Sequence, residues 1–472
     1  MEPKLHAKNA RNGLSGHLKA TALLAWPVIV GQLGHMVIGT VDTIMIGSLG
    51  SRELAAASIG NGIFFLIAVI GIGVCVVISP LTAQAFGAKE NDEALGDRLH
   101  QGILVSFWLC IISVVLLIGL AFAIPWMGQQ PKSVPLAQDY LLILSSSLLP
   151  MLIYLAFKHF LDGLEAVRPG MIVMGIMVVF NIFFNWVLIY GHLGMPAMGL
   201  QGAGWATLVS RILGMLILAG YVITSKKYGR YFRWKALFEH KMNVIKEILE
   251  IGLPSGMQYF FEVGAFAGAV LLAGRISEEA QSAHQIAIQI ASITYMFYMG
   301  ISSAVSIRVG NALGRRDVSS IVVASKAGLA AGLLCVAIFV SSMIGLKDLL
   351  PAFYINEVDV VLIASSLLLI AAVFQFFDGM QAIIMGALRG ISDVNIPTGL
   401  TFVAYWIIGL PAAWVLSDVF DFGVQGIWYG LTIGLGFSAM MLGIRLYFKL
   451  QKDSLKALDE NQEKKNQGNL GT

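Results

Sequence analysis

Charge is scarce in this chain. Only 12% of its 472 residues are charged, about half the share of an ordinary soluble domain, so it cannot clothe a globular surface in ionised groups and a water-soluble protein is excluded. Cysteine is scarcer still. The three present, Cys75, Cys110 and Cys335, are odd in number and all fall in apolar runs, which argues against a disulfide framework. A net charge of +3 gives no reason to invoke a nucleic acid. The sequence also lacks an HExxH motif and a convincing Ser, His and Asp set, and its one DxxD spacing, Asp418 to Asp421, has no second acidic pair to complete a metal cluster, which weighs against an enzyme. The start of a phospholipid-synthase pattern in DGLEAVR (162–168) has no downstream aspartates to complete it.

What is abundant is hydrophobic sequence, 57% of the chain, with a mean hydropathy of +0.78. Apolar runs long enough to cross a ~30 Å hydrocarbon layer recur twelve times, near 20–43, 54–80, 100–124, 137–157, 169–190, 202–223, 247–274, 282–305, 319–345, 358–380, 394–416 and 426–447. The first is too long for a cleaved signal and reads as a retained span. The runs are continuously apolar rather than alternating, which predicts helices and not barrel strands. Lys and Arg crowd the N-terminal arm, the loops after even-numbered spans and the C-terminal tail. Both termini are therefore expected in the cytoplasm, and KKYGRYFRWK (226–235) reads as a cytoplasmic connector near anionic lipid.

A repeat lies in the spacing. Residues 27–87 and 254–314 align without a gap at an offset of 227: Pro27 meets Pro254, Gly47 meets Gly274, Gly73 meets Gly300, Ser79 meets Ser306 and Gly87 meets Gly314. Gly163 and Gly390 keep the same offset. Each half holds six spans, an even number, so both enter the membrane in the same direction. The expected fold is an all-α integral membrane protein with twelve transmembrane helices in two six-helix lobes related by a parallel internal repeat, a design suited to rocking transporters. The expected boundaries are an arm (1–19), an N-terminal lobe (20–223), a solvated linker (224–246), a C-terminal lobe (247–447) and a mobile polar tail (448–472).

The halves share glycines, a proline and small residues, not chemistry. Asp42 aligns with Ala269, and Glu262 with His35. Three carboxylates, Asp42, Glu262 and Asp378, lie inside or at the margin of apolar runs, where an ionised group costs about 2.5–3.5 kcal/mol on insertion scales. Ser255, Gln258 and Glu262 form one polar stripe, and Gln375, Asp378 and Gln381 another. Asn181 and Asn185 project from one face of span 5, and span 6 offers Thr207. Only Arg211 and Lys326 lie well within the runs, too few cations for three acids. An unpaired buried acid either takes a proton or binds a small cation through hard oxygens, and both solutions make it a cation-handling site. His35 and His284 read first as packing histidines, with His284 kept among the coupling candidates. The aromatics of YMFYMG (295–300) suit a drug cavity or lipid-facing packing.

Taken together, VDTIMIG (41–47), TAQAFGA (82–88), NIFFNWVLIYG (181–191), GAGWAT (202–207), FFEV (260–263), AHQIA (283–287), VSIRVGNALG (305–314) and QFFDGMQ (375–381) resemble multidrug and toxic compound extrusion (MATE) transporters, with the NorM-like branch most similar. The resemblance runs from about residue 20 to 447 and implies two six-helix lobes with alternating access. It implies efflux of cationic or polyaromatic drugs in exchange for Na+ or H+. It also implies cation binding at Glu262 and Asp378, Na+ being the metal those two would hold, and a coupling or drug site at Asp42, Asn181, Asn185 and Thr207, with Gln258 and Gln375 beside the C-terminal acids. No cofactor is expected beyond the coupling ion. The expected partners are small aromatic cations and membrane lipid, the expected location a bacterial inner membrane, and the expected state a monomer. Phe374 departs from the pattern, since some relatives carry a tyrosine hydroxyl there. Two rival readings are a lipid-linked oligosaccharide flippase, which wants more cavity Arg and Lys than these spans hold, and a membrane-embedded enzyme.

Overall fold

The computed structural model describes residues 13–128 and 130–451; most of the expected arm and tail therefore lies outside the described residues. Among them are twelve helices long and apolar enough to cross a membrane: α1 Ser15–Gly47, α2 Ser51–Gly87, α3 Asp92–Met127, α4 Val134–Gly163, α5 Arg168–Tyr190, α6 Gly199–Thr224, α7 Met242–Ile276, α8 Glu278–Gly314, α9 Val318–Gly345, α10 Val358–Gly390, α11 Asn395–Val419 and α12 Gly423–Lys449. Helices answer the absence of water in hydrocarbon, because each backbone N–H finds its acceptor one turn back. Starts are capped where the sequence supplies the side chain: Asn91 accepts from Ala94 N, Ser277 from Ala280 N and Asp317 from Ser320 N.

Three spans break or widen beside an internal proline, whereas α1 and α7 run unbroken through Pro27 and Pro254. α2 divides at Val77, between Ser51–Val76 and Ile78–Gly87, just before Pro80. α4 divides at Ser147 before Pro150, and α11 widens into π-type turns on both sides of Leu410–Trp414, which holds Pro411. The helices also run past their apolar stretches. Lys158, Arg308 and Arg389 thus join Arg211 and Lys326 as helical cations, a correction to the sequence reading. Lys158 is buried against Asp162 at 2.8 Å, and Arg308 donates to the His17 carbonyl at 2.8 Å and to Thr21 Oγ1 at 2.5 Å.

The chain forms two compact units, one spanning Val30–Gly256 and the other built from the described residues up to Ile29 together with those from Met257 onward. The division does not fall in the linker. It cuts α1 and α7 three residues or fewer beyond Pro27 and Pro254, so each of these helices begins in one unit and ends in the other. Within the first unit, GLPSG (252–256) packs α7 on α2: a Cβ on Gly256 would come 2.5 Å from the Ile70 carbonyl oxygen, and one on Gly73 would fall inside Gly256. Within the second, GLTIG (430–434) packs α12 on α11, and a Cβ on Gly434 would lie 2.6 Å from the Ala404 carbonyl oxygen.

The linker is docked rather than solvated. Tyr228, Tyr231 and Ala236 are buried, Phe232 stacks near His100 and Phe157 with ring centroids 5.3 and 6.3 Å away, and the Arg233 backbone N–H donates to His100 Nε2 at 3.0 Å. Lys241 Nζ donates to Asp97 at 2.7 Å and Glu93 at 3.1 Å, while Arg233 reaches the same two acids. Burial opposes the Lys241 ammonium, but those two hydrogen bonds prevail and raise its pKa above the ordinary lysine value. The aromatic positions of 226–235, spaced too irregularly for a helix face, become legible only once α3 and α4 present their sockets.

Glycine packing gives a direct test. Gly73→Ala is expected to lower stability by about 1–3 kcal/mol through overpacking, whereas Gly39→Ala, with nothing within 4 Å of its added methyl, is expected to be neutral or slightly stabilising. Thermal unfolding of the two variants in one detergent separates them.

Candidate functional site

In the first unit the polar faces converge on Asp42. Asn181 and Asn185, one turn apart on α5, share a face. Gly202 lets α6 close on α5, since a Cβ there would sit 2.5 Å from the Leu188 carbonyl oxygen. That approach carries Thr207 to the carboxylate. Asn185 Nδ2 donates to Asp42 Oδ1 at 2.5 Å and Thr207 Oγ1 to Oδ2 at 3.2 Å, while Asn185 Nδ2 also points to Asn181 Oδ1 at 3.3 Å. All four side chains are buried. Asn185 Oδ1 and Asn181 Nδ2 have no partner, and which amide atom is oxygen follows from the bonding assigned to it. Turning the Asn185 amide over brings a second carboxamide oxygen beside Asp42. The resulting donors, one carboxylate, two amides and a hydroxyl, are the hard oxygens a small alkali cation prefers. One turn beyond Thr207, Arg211 donates to Ser147 Oγ at 2.5 Å and lies 5.1 Å over the Phe64 ring; the break in α4 leaves that serine free to accept it.

In the second unit Glu262 of α7 and Asp378 of α10 are 5% and 4% exposed. They differ in their partners. The Tyr295 hydroxyl on α8 faces Glu262 closely enough to act on its carboxylate, whereas no hydroxyl or amide of the described residues donates to Asp378, which lies near enough to Glu262 for the two charges to repel. Gln381 Nε2 donates to the Tyr405 hydroxyl at 3.0 Å and Gln375 Nε2 to the Ala291 carbonyl at 3.2 Å. The Oε1 atoms of Gln258, Gln375 and Gln381 are buried without a donor. Ser255, counted with Gln258 and Glu262 on one stripe, falls in the other unit. Arg389 lies about 16 Å along α10 from Asp378 but stands 5.5 Å over the Tyr259 ring, one turn before Glu262, where its charge acts on that carboxylate without forming an ion pair to either acid.

His284 is not gathered with these acids. It lies about 16 Å along α8 from Tyr295, fully buried beside Trp428 with ring centroids 5.7 Å apart. Phe374 fills the same aromatic layer, edge-on to Trp428 at 5.5 Å and to Phe266 at 6.1 Å. The hydroxyl that Phe374 lacks has a counterpart on another helix in Tyr295, which faces Glu262. Sequence reasoning noticed Tyr295 within an aromatic run and missed its role. Its signal was the tyrosine itself, whose hydroxyl needs a polar partner when buried.

Two tyrosines of α8 test this arrangement. Tyr295→Phe removes the hydroxyl that faces Glu262 and is expected to raise the cation concentration for half-maximal efflux roughly tenfold, the scale of one hydrogen bond to a charged group. Tyr298→Phe deletes a buried hydroxyl that has no partner and is expected to leave that concentration unchanged. Efflux titrations in proteoliposomes distinguish them.

A sequence model of the MatE family matches residues 27–187 and 254–415. The chain is 33% identical to the "Probable multidrug resistance protein NorM" of Agrobacterium fabrum, over 93% of this chain and 95% of that protein. It is 31% identical to the "Multidrug resistance protein NorM" of Vibrio cholerae, over 91% and 95%. Among solved structures, the eukaryotic MATE transporter AtDTX14 superposes with a TM-score of 0.87 at 22% identity, covering 95% of this chain and all of that one. The outward-facing conformation of a multidrug resistance MATE family transporter gives 0.86 at 20% identity, covering 95% and 98%. These last two establish the fold, and the sequence matches over nine-tenths of the length establish the lineage: the chain belongs to the MatE family, on its NorM-like branch.

Proposed function

We propose that this protein is a secondary active multidrug exporter that exchanges cationic or polyaromatic drugs for a small cation by alternating access. The observation that carries the reading is Asp378, a buried carboxylate next to a second one, Glu262, with no fixed counter-charge among the described residues. Two such groups in hydrocarbon are tolerable only if a proton or metal ion visits them. The NorM relatives, named as multidrug resistance proteins, favour drug export over lipid-linked sugar flipping and over catalysis. The acid pair favours Na+ as the coupling ion, held by Glu262 and Asp378 with Tyr295 and the spare Gln258 and Gln375 oxygens around them. Asp42, Asn181, Asn185 and Thr207 form a second station in the other unit, for a cation or for the positive group of a drug.

The two stations belong to two six-helix lobes built on one parallel repeat. In support, the two family matches begin 227 residues apart, and the unit boundaries at Ile29 and Gly256 keep that interval. Equivalent glycines also make equivalent contacts: a Cβ on Gly163 would lie 2.5 Å from the Ser79 carbonyl oxygen, and one on Gly390 would lie 2.9 Å from that of Ser306. An even number of spans and the distribution of Lys and Arg favour cytoplasmic termini on a chain resident in a bacterial inner membrane. Exchange needs no contact between cation and drug. Each has only to favour a different conformation, because coupling is a difference in affinity between states.

Efflux of an ethidium-like dye from proteoliposomes, with Na+ and proton gradients imposed separately, tests the reading. Flux driven by at least one gradient is expected, and none with either would overturn it. Glu262→Gln and Asp378→Asn are each expected to reduce gradient-driven flux by an order of magnitude or more while the folded yield is kept. Unchanged flux in both would mark the acids as structural.

A further inference from the structure

We propose that the docked linker between α6 and α7 is a membrane-interface anchor that seats Trp234 and Phe238 at the headgroup boundary and takes anionic lipid headgroups on Lys226, Lys227 and Lys235. The charges of this segment divide into two sets. Arg230, Arg233 and Lys241 are paired with acids at the start of α3: Arg230 Nε stands 3.6 Å from Asp92 at the surface, and the other two reach the exposed Glu93 and the buried Asp97. Lys226, Lys227 and Lys235 stay exposed, and among the described residues no carboxylate lies within ion-pair distance of them. The segment and the first turn of α7 also expose large apolar groups. Trp234 is 66% exposed, Phe238 82% and Met242 66%.

Water is a poor environment for that surface. Exposed aromatics mixed with uncompensated lysines match the polar and apolar strata of the bilayer margin, where tryptophan is enriched and each nearby basic residue is drawn to anionic lipid. The segment is also rigid enough to act as an anchor. Trp234 stands edge-on against Phe232, with centroids 5.0 Å apart, and Phe232 is fixed in turn by His100 and Phe157. Gln101 Nε2 pins the Glu239 carbonyl at 2.8 Å. The paired ionic set therefore serves to orient the unpaired one. The exposed acids near the segment are Glu239, Asp92 and Glu93; the last two are matched by Arg230, Arg233 and Lys241, which leaves Glu239 against three lysines and favours anionic over zwitterionic lipid.

The test uses the full-length protein in vesicles of phosphatidylcholine alone or mixed with phosphatidylglycerol. Subtracting the fluorescence of Trp234→Phe from that of the unmodified protein isolates the emission of Trp234. That emission is expected to be quenched by brominated lipid and shielded from acrylamide. Joint replacement Lys226→Gln, Lys227→Gln and Lys235→Gln is expected to raise severalfold the phosphatidylglycerol fraction needed for half-maximal quenching. Quenching of Trp234 by acrylamide but not by brominated lipid would overturn the proposal in favour of a solvated loop. Resistance to both quenchers would overturn it in favour of a protein cover, such as a second copy of this chain. Lipid quenching indifferent to the lysine replacements would remove the anionic headgroups from it. None of these outcomes depends on whether drug transport is coupled to Na+, to H+ or to neither.

Discussion

A carboxylate buried in a membrane-spanning helix loses its hydration when ionised, at a cost of about 2.5–3.5 kcal/mol even on permissive scales, and this chain buries three carboxyl groups, Asp42, Glu262 and Asp378, in such helices. Everything near them answers that loss. α5 and α6 close over Asp42 through a glycine contact so that an amide and a hydroxyl can donate to it. α8 brings a tyrosine to Glu262. Asp378 receives neither, and the arrangement is left short of positive charge at that one position.

The two units solve the same difficulty differently. Around Asp42 the dipoles are in place and a guanidinium is held one turn away, so the carboxylate is accommodated in its resting state. Near Glu262 and Asp378 the tyrosine hydroxyls of Tyr295, Tyr298 and Tyr405 stand among glutamine oxygens that lack donors. A cluster of unsatisfied oxygens is expensive when empty and cheap when a cation sits among them. Such a difference in cost between occupied and empty states is what a coupled transporter requires.

Much of this was legible in the sequence because membrane helices obey a local rule. A run of apolar residues must be helical, and polar residues three or four apart must then share a face; the twelve spans, the Asn181 and Asn185 pair and the glycine patterns at 252–256 and 430–434 followed directly. What escaped was governed by contacts distant in the chain. Tyr295 meets Glu262 from a different helix. Lys158 and Arg389 lie beyond the apolar windows, where the helix simply continues because its hydrogen bonds do. The linker looked solvated because its partners, His100, Phe157 and Asp97, stand more than sixty residues upstream. His284, read first as a packing histidine, lies buried beside Trp428, as that reading expects.

The handover of α1 and α7 has a consequence for how the protein is made. The unit that contains Asp42 ends at Gly256, past the sixth span, and the other includes residues from the very start of α1. When six helices have left the ribosome, neither body is whole: one still lacks the opening turns of α7, and the other has contributed only its first strand of sequence to a partner not yet synthesised. Biogenesis must therefore hold early helices in waiting, and a nick in the connecting segment would yield fragments that need each other to finish folding.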